Sequence, residues 1–320
     1  AAARAMAGVA AVYAMADLEP HVTSVRMPLA MPGAAIRHVA EPEILATDEV
    51  LYVGQGIALV VAESRAIAED AAAAIECEIE PLPAVASARE ALAAGAPPAD
   101  TRFADNLLAQ FSIGYGDVDA AFKAAAHVVS LDLDQHKTGG HPMECRGMLA
   151  EYDAALDALT VWDGTQMPHR AREIIVKVLG WSEDRVRVIC PDVGGGFGPK
   201  FVIYSEEITI PLAAYLLRRP VKWIEDRREH FTATTMERDQ YWKVDAAVDA
   251  RGVLLGMKVD MIHDHGAATP HGINIPQNSA TNTLGPYRLP NFAFTASVVL
   301  TNKTPVTPTR GAGRPQGTFA

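Results

Sequence analysis

The segment Asp192-Val193-Gly194-Gly195-Gly196-Phe197-Gly198-Pro199-Lys200 places four glycines between a run with strand character, Asp184–Ile189, and one with helical character, Glu206–Leu217. Glycine lacks a Cβ, so its backbone can approach a neighbour closely and adopt conformations closed to other residues. Exposed N–H groups in such a loop form a nest for an anion or an oxo group. A chain that carries this loop between a strand and a helix is held to a mixed α and β architecture. Two familiar phosphate loops are excluded by the residues at its end. A P-loop needs Gly before the Lys and Ser or Thr after it, where Pro199 and Phe201 stand, and the dinucleotide fingerprint needs Gly or Ala in place of Pro199. Taken alone, the segment is equally compatible with a plain tight turn.

Upstream, the apolar run from Val50 to Ala62 reads as two buried strands interrupted at Gly54-Gln55-Gly56. Ser64 to Ile75 is alanine-rich with Ser64 as its N-cap, which predicts a helix. Glu76 to Glu80 reads as a third strand, stopped by Pro81-Leu82-Pro83, giving a small α/β unit. Between Ala91 and Thr101 the periodicity gives way to Gly and Pro, the composition of a linker. Beyond it we expect a strand at His127–Asp134, a hairpin of Met148–Tyr152 with Ala158–Trp162, and a helix at Arg170–Leu179 ended by Gly180. The Glu206–Leu217 helix is closed by Arg218, Arg219 and Pro220. The fold class is α+β, in two domains.

Charge and cysteine usage narrow the function classes. The net charge of −11 comes without any Lys/Arg cluster, so a nucleic-acid partner is not expected. Apolar stretches such as Ile57–Ala62 fall well short of the ~20 residues needed to span a bilayer, so no membrane span is expected. Cys77, Cys145 and Cys190 form no CxxC pair, which argues against a disulfide framework or a thiolate zinc motif and fits a reducing cytoplasm. The chain starts at Ala1 and stops at Gly317-Thr318-Phe319-Ala320, and we expect both ends to be cut. A periplasmic location stays open if a leader has been lost.

Three further segments carry polar chemistry. Thr309-Arg310-Gly311-Ala312-Gly313-Arg314-Pro315-Gln316 is a second glycine-rich loop, which reads either as part of a shared ligand site or as a surface turn with solvated arginines. Gly164-Thr165-Gln166-Met167-Pro168-His169 follows a strand, and the Gln166 amide offers both a donor and an acceptor. His263-Asp264-His265 with His271 has the composition of a zinc or non-haem iron site, yet no clear further ligand accompanies it, so satisfied polar side chains are expected. Glu206 and Glu207 open a helix and are read as complements of its dipole rather than as an acid–base pair.

Taken in order, these pieces resemble a known family. Tyr52-Val53-Gly54-Gln55, Ala58–Ala62, Ala68–Ala72 and Glu80–Val85 come first. Pro142-Met143-Glu144, Arg146-Gly147, Thr165-Gln166, Gly194–Gly198 with Lys200, Pro220–Trp223 and Arg310–Gly313 follow. Over essentially the whole chain they resemble the molybdopterin-binding large subunit of the xanthine dehydrogenase and aldehyde oxidase family. The resemblance implies a small α/β hammerhead domain at residues 1–90, lacking its opening strands, a linker at 91–105, and a mixed α/β first molybdopterin-binding domain at 106–320 that continues past Ala320. It implies a molybdenum–molybdopterin cofactor, in the cytosine dinucleotide form, whose metal takes no direct protein ligand. Gln166, the loop Gly195, Gly196, Phe197 and Gly198, and the backbone of Arg310 would contact that cofactor.

The implied reaction is hydroxylation with water as the oxygen source. Electrons would leave through [2Fe-2S] clusters on a small subunit to FAD on a medium subunit. The family's general base is a Glu expected beyond Ala320, so no catalytic residue is assigned. Copper-dependent carbon monoxide dehydrogenases carry Cys where Gly311 stands, and purine hydroxylases carry Glu at Phe201, Arg near Asn278 and an aromatic residue at Ala312. With Phe201, Asn278 and Ala312 lining the substrate pocket, an aldehyde or another N-heterocycle is expected in place of CO or xanthine. Cys145, commonly Pro, and Pro199, commonly Gly, are smaller departures. The competing readings are a non-catalytic scaffold subunit and a copper-free relative of the carbon monoxide dehydrogenase large subunit.

Overall fold

The computed structural model describes residues Ala1–Leu29 and Gly33–Ala320. The chain folds into two compact units that interleave along the sequence. One comprises Ala1–Leu29, Glu41–Pro83 and His141–Thr234; the other comprises 33–40, Ala84–Gly140 and Thr235–Ala320. The architecture is mixed α and β, as expected.

In the first unit the Val9–Tyr13 and Leu59–Ala62 strands pair antiparallel, and the Arg65–Ala73 helix follows with Ser64 accepting from the Ile67 N–H at 3.4 Å. A four-stranded sheet runs in the order Val186–Ile189, Ala158–Asp163, Gly147–Asp153, Val221–Ile224. Its first pair is parallel and the other two are antiparallel. The Pro168–Leu179 helix begins with Pro at its first position, where no N–H is needed. It ends at Gly180, whose φ of 66° turns the chain left-handed, a conformation glycine takes without a Cβ clash. Ile174, Ile175 and Val178 of this helix pack with Ile208 and Leu212 of Glu206–Leu217 and with Met148, Ala150, Leu159 and Val161 of the sheet. Each buried Ile, Val, Leu or Met side chain among these contributes about 1.5–3 kcal/mol.

The second unit is built on a five-stranded sheet in the order Leu107–Tyr115, Phe292–Leu300, Leu254–Gly266, Gln240–Val248, His127–Gln135. The Leu254–Gly266 and Phe292–Leu300 strands pair parallel, and the Asn274–Asn282 helix lies in the crossover that parallel pairing requires. Trp242, Val244, Val259, Met261, Phe292 and Phe294 cluster with Ala280 and Leu289.

Two strand expectations need correction. From Val50 to Ala62 only Leu59–Ala62 is a strand. The earlier half is drawn into a turn, with the Leu51 N–H donating to Gln55 Oε1 at 2.8 Å and the Ala46 N–H to the Gly56 carbonyl at 2.9 Å. Glu76–Glu80 is exposed and not a strand, because β propensity without a neighbouring strand supplies no ladder. The partner of Leu59–Ala62 is instead Val9–Tyr13. The 91–105 segment is tied down by buried Asn106, whose Oδ1 accepts from the Ala99 N–H at 2.7 Å and whose Nδ2 donates to the Ala91 and Pro97 carbonyls at 3.2 and 2.9 Å.

Candidate functional site

Because the Ala158–Asp163 and Val186–Ile189 strands are adjacent and parallel, their C-terminal ends leave the sheet on the same side. Ligands of open α/β sheets gather at such ends. The first strand delivers Gln166 and the second delivers the glycine loop. The Gln166 N–H donates to the Lys200 carbonyl at 2.7 Å, and its side-chain Oε1 accepts from the Gly198 N–H at 2.9 Å. Gly196 lies under this side chain: a Cβ there would meet Gln166 Oε1 at 2.4 Å, so a glycine is needed for the amide to lie across the loop. Gln166 Nε2 makes no hydrogen bond to a described residue. Phe197 holds φ at 55° with its ring 46% exposed, a backbone conformation that costs a non-glycine residue about 1 kcal/mol or more. Phe201, half-buried, closes the loop through its N–H to the Gly198 carbonyl at 2.7 Å.

A charged clamp fixes the loop's near end. Glu144 Oε2 accepts from the Gly194 N–H at 2.8 Å and pairs with the buried Lys200 ammonium. The Lys200 bond holds the Glu144 carboxyl below the usual carboxylate range. Deeper in the unit, Arg146 donates from Nη2 and Nε to Glu225 Oε1 at 2.7 and 2.9 Å and from Nη1 to Glu206 Oε2 at 3.1 Å. Its guanidinium lies 3.7 Å from the Tyr204 ring centroid and 5.1 Å from that of Trp223. Glu225 further accepts from Thr234 Oγ1 at 2.7 Å, with His230 Nδ1 2.9 Å away. Burial opposes ionisation of Glu225, but the His230 and Arg146 contacts hold it at about 2.

Two other buried carboxyls shift in the opposite direction to Glu225. Burial pushes Asp163 up to about 7 against the pull of Arg146 and Lys200. Burial, then Asp163, drives Glu207 well above its ordinary value, while Glu207 Oε2 accepts the Tyr204 N–H at 2.7 Å. Glu206 and Glu207 thus have specific partners beyond the helix dipole. Sequence reasoning quoted Glu144, Arg146 and Lys200 only as motif letters, and it missed Asp163 and Glu225. Nothing local marks Glu225; its role comes from pairing across the sheet.

The other predicted residues lie in the second unit. Gly311, Ala312 and Gly313 take φ of 101°, 47° and 93° in succession. Asn278 Nδ2 donates to the Ala312 carbonyl at 2.9 Å, so these two are brought together. A Cβ on Gly313 would stand 2.4 Å from the Ile275 carbonyl, which shows how closely this loop rides on the Asn274–Asn282 helix. Arg310 is exposed at the loop's start. His263 and His265 are fully buried with ring centroids 5.4 Å apart. The expectation of satisfied side chains fails for them: His263 Nδ1 lies 3.2 Å from Gln240 Nε2, but His263 Nε2 and both nitrogens of His265 have no hydrogen-bond partner among the described residues. Between them Asp264 points to the Thr301 hydroxyl and Lys303, and among the described residues no metal-ligand trio includes the pair.

The family described as "Molybdopterin cofactor-binding domain" matches residues 100–320, and that described as "Aldehyde oxidase and xanthine dehydrogenase, a/b hammerhead domain" matches residues 1–83. The nicotine 6-hydroxylase large subunit of Paenarthrobacter nicotinovorans is 37% identical, matching 100% of this chain and 39% of that protein. The carbon monoxide dehydrogenase large chain of Hydrogenophaga pseudoflava is 33% identical over 95% of this chain and 39% of its own length. Among solved structures, quinoline 2-oxidoreductase from Pseudomonas putida 86 superposes with a TM-score of 0.89 at 33% identity, covering 97% of this chain and 39% of that one. The aldehyde oxidoreductase from Desulfovibrio gigas gives 0.92 at 25% identity, covering 100% of this chain and 35% of that one. The chain thus spans under two-fifths of the length of these proteins.

Proposed function

From a chain that belongs to the molybdopterin cofactor-binding family, with the aldehyde oxidase and xanthine dehydrogenase hammerhead domain ahead of it, we propose a molybdenum hydroxylase large subunit that oxidises an N-heterocycle or an aldehyde. The observation that carries this reading is the Gln166 amide lying across Gly196, with Oε1 held by Gly198 and Nε2 left as a donor. The residues fit the group. A cradle that a Cβ would fill, bordered by the Gln166 Nε2 donor and a left-handed Phe197, suits the oxygen-rich edge of a molybdenum–pterin cofactor. When bound, that cofactor supplies two-electron oxidation with water as the oxygen source.

The chain's own residues bind and orient. Gln166 Nε2 donates toward oxygen in the cradle, and the Glu144–Lys200 pair keeps Gly194–Gly198 from rearranging when charge develops. The cofactor contact of Arg310 and the substrate contacts of Phe201, Asn278 and Ala312 are part of the same proposal. So are the cytosine dinucleotide form, the iron–sulfur and FAD partner subunits, a cytoplasmic location, and the division at 1–90, 91–105 and 106–320. Relatives named for nicotine and quinoline favour an N-heterocycle over an aldehyde. The carbon monoxide dehydrogenase relatives support a second reading as a copper-free member of that branch, since Gly311 has no thiol to hold copper.

Elemental and pterin analysis of the complete protein with its partner subunits tests the proposal: about one molybdenum and one pterin per large subunit are expected. Active protein devoid of molybdenum would overturn it. Steady-state reduction by quinoline-like heterocycles, aldehydes, xanthine and CO then separates the two readings.

Gln166→Ala is expected to lower turnover by roughly 10²–10³, the usual consequence of removing one preorganised donor, with metal loading retained. Gly196→Ala should reproduce that loss, because its methyl occupies the place of the Gln166 amide. Unchanged turnover in either variant at normal loading refutes the role given to Gln166.

A further inference from the structure

Among the described residues, Cys145, Glu225 and His230 form a group whose potential metal-ligand atoms all lie within 4.8 Å of one another. The sheet brings them together. Gly147 pairs with Ile224 across the Gly147–Asp153 and Val221–Ile224 strands, and the register continues outward as the Glu225 N–H donates to the Arg146 carbonyl at 3.0 Å. Cys145 precedes that pair on one strand and Glu225 follows it on the other. Asp226 then caps the Arg227–Ala233 helix, accepting from the Glu229 N–H at 2.8 Å, and the helix returns His230 to Glu225. The Glu225 and His230 side chains are both fully buried and 2.9 Å apart, while Cys145 is half-buried.

We propose that Cys145 Sγ, His230 Nδ1 and Glu225 Oε2 bind a divalent cation of the zinc class, with water in the fourth position. One thiolate, one imidazole and one carboxylate make a borderline-soft donor set that suits zinc. Metal–nitrogen and metal–oxygen bonds of about 2.0–2.1 Å set tetrahedral N···O separations near 3.3 Å, so the 2.9 Å pair must open by about half an ångström. The ion takes the place of the hydrogen between them. Binding releases the Cys145 thiol proton and leaves the imidazole proton on the other ring nitrogen. Arg146 and Thr234 hold Glu225 Oε1 from the far side, so the carboxylate is already oriented.

The test is a titration of the complete protein, stripped of loosely held metals, with Co²⁺ followed by difference absorption. One equivalent should produce a thiolate-to-cobalt charge-transfer band that Zn²⁺ then abolishes. Cys145→Ser, with its fold checked by circular dichroism, should remove the band; His230→Gln should do the same if it folds. Absence of a cobalt band in the unaltered protein overturns the proposal, and so does an undiminished band in folded Cys145→Ser, which would assign the thiolate to another cysteine.

Discussion

Arg146→Ala is expected to destabilise the first unit by about 3–5 kcal/mol, the usual cost of removing one partner from a buried ion pair. The guanidinium is buried, and it is the only cation that the described hydrogen bonds and ion pairs place on Glu225 besides the ionisable His230. Its loss leaves the buried Glu225 carboxyl with only the Thr234 hydroxyl, His230 and the backbone N–H of position 146, and removes the stacking against Tyr204 and Trp223. Arg146→Lys should recover little, because a point ammonium cannot donate twice to Glu225 Oε1 while also reaching Glu206, or lie flat on the Tyr204 ring. Urea unfolding of the two variants checks this. A midpoint shift equivalent to less than about 1 kcal/mol for the alanine variant would show that the network is peripheral to stability.

The second large effect is a difference in acid sensitivity between the native chain and His265→Leu. Burial drives His265 down to about 3, while the unfolded chain protonates it near 6.5. Below 6.5 the unfolded state therefore binds more protons, and stability falls as pH drops until the folded value is reached. The native chain should lose about 1.4 kcal/mol per pH unit relative to the leucine variant between roughly pH 6 and 3. Above pH 7 the leucine variant should be as stable or more so, since it removes two buried nitrogens that have no partner among the described residues. Asp163 is raised and so works in the opposite sense, its cost relieved as pH falls through about 7, which is why only the difference between variants isolates the imidazole. Parallel stability curves from pH 7 to 4 would show that His265 is solvated or partnered in solution.

Elements with complete local instructions were legible in the sequence. Pro168–Leu179 carries its proline start, its apolar spacing and its Gly180 stop in one stretch, and Glu206–Leu217 ends where Arg218 turns left-handed at φ 51°. The thirteen-residue Leu254–Gly266 strand went unread because His263, Asp264 and His265 look polar, while the parallel neighbour that buries them arrives only at Phe292. Glu76–Glu80 failed for the converse reason, with local preference and no neighbour. In the candidate site, Gln166 and the glycine loop announced themselves by residue type. The partnership of Arg146 with Glu225 did not, since the two are 79 positions apart and meet only through strand pairing.

The crossing of Gln166 over Gly196 couples two positions that thirty residues separate. A side chain can enter position 196 only in a background where position 166 has already shortened or turned away, and a long amide at 166 is admissible only while 196 remains bare. The two positions are therefore expected to vary together. Directed evolution that varies the two sites one at a time meets an obstructed path in each direction, whereas a library that randomises them jointly can reach alternative cradles in a single step.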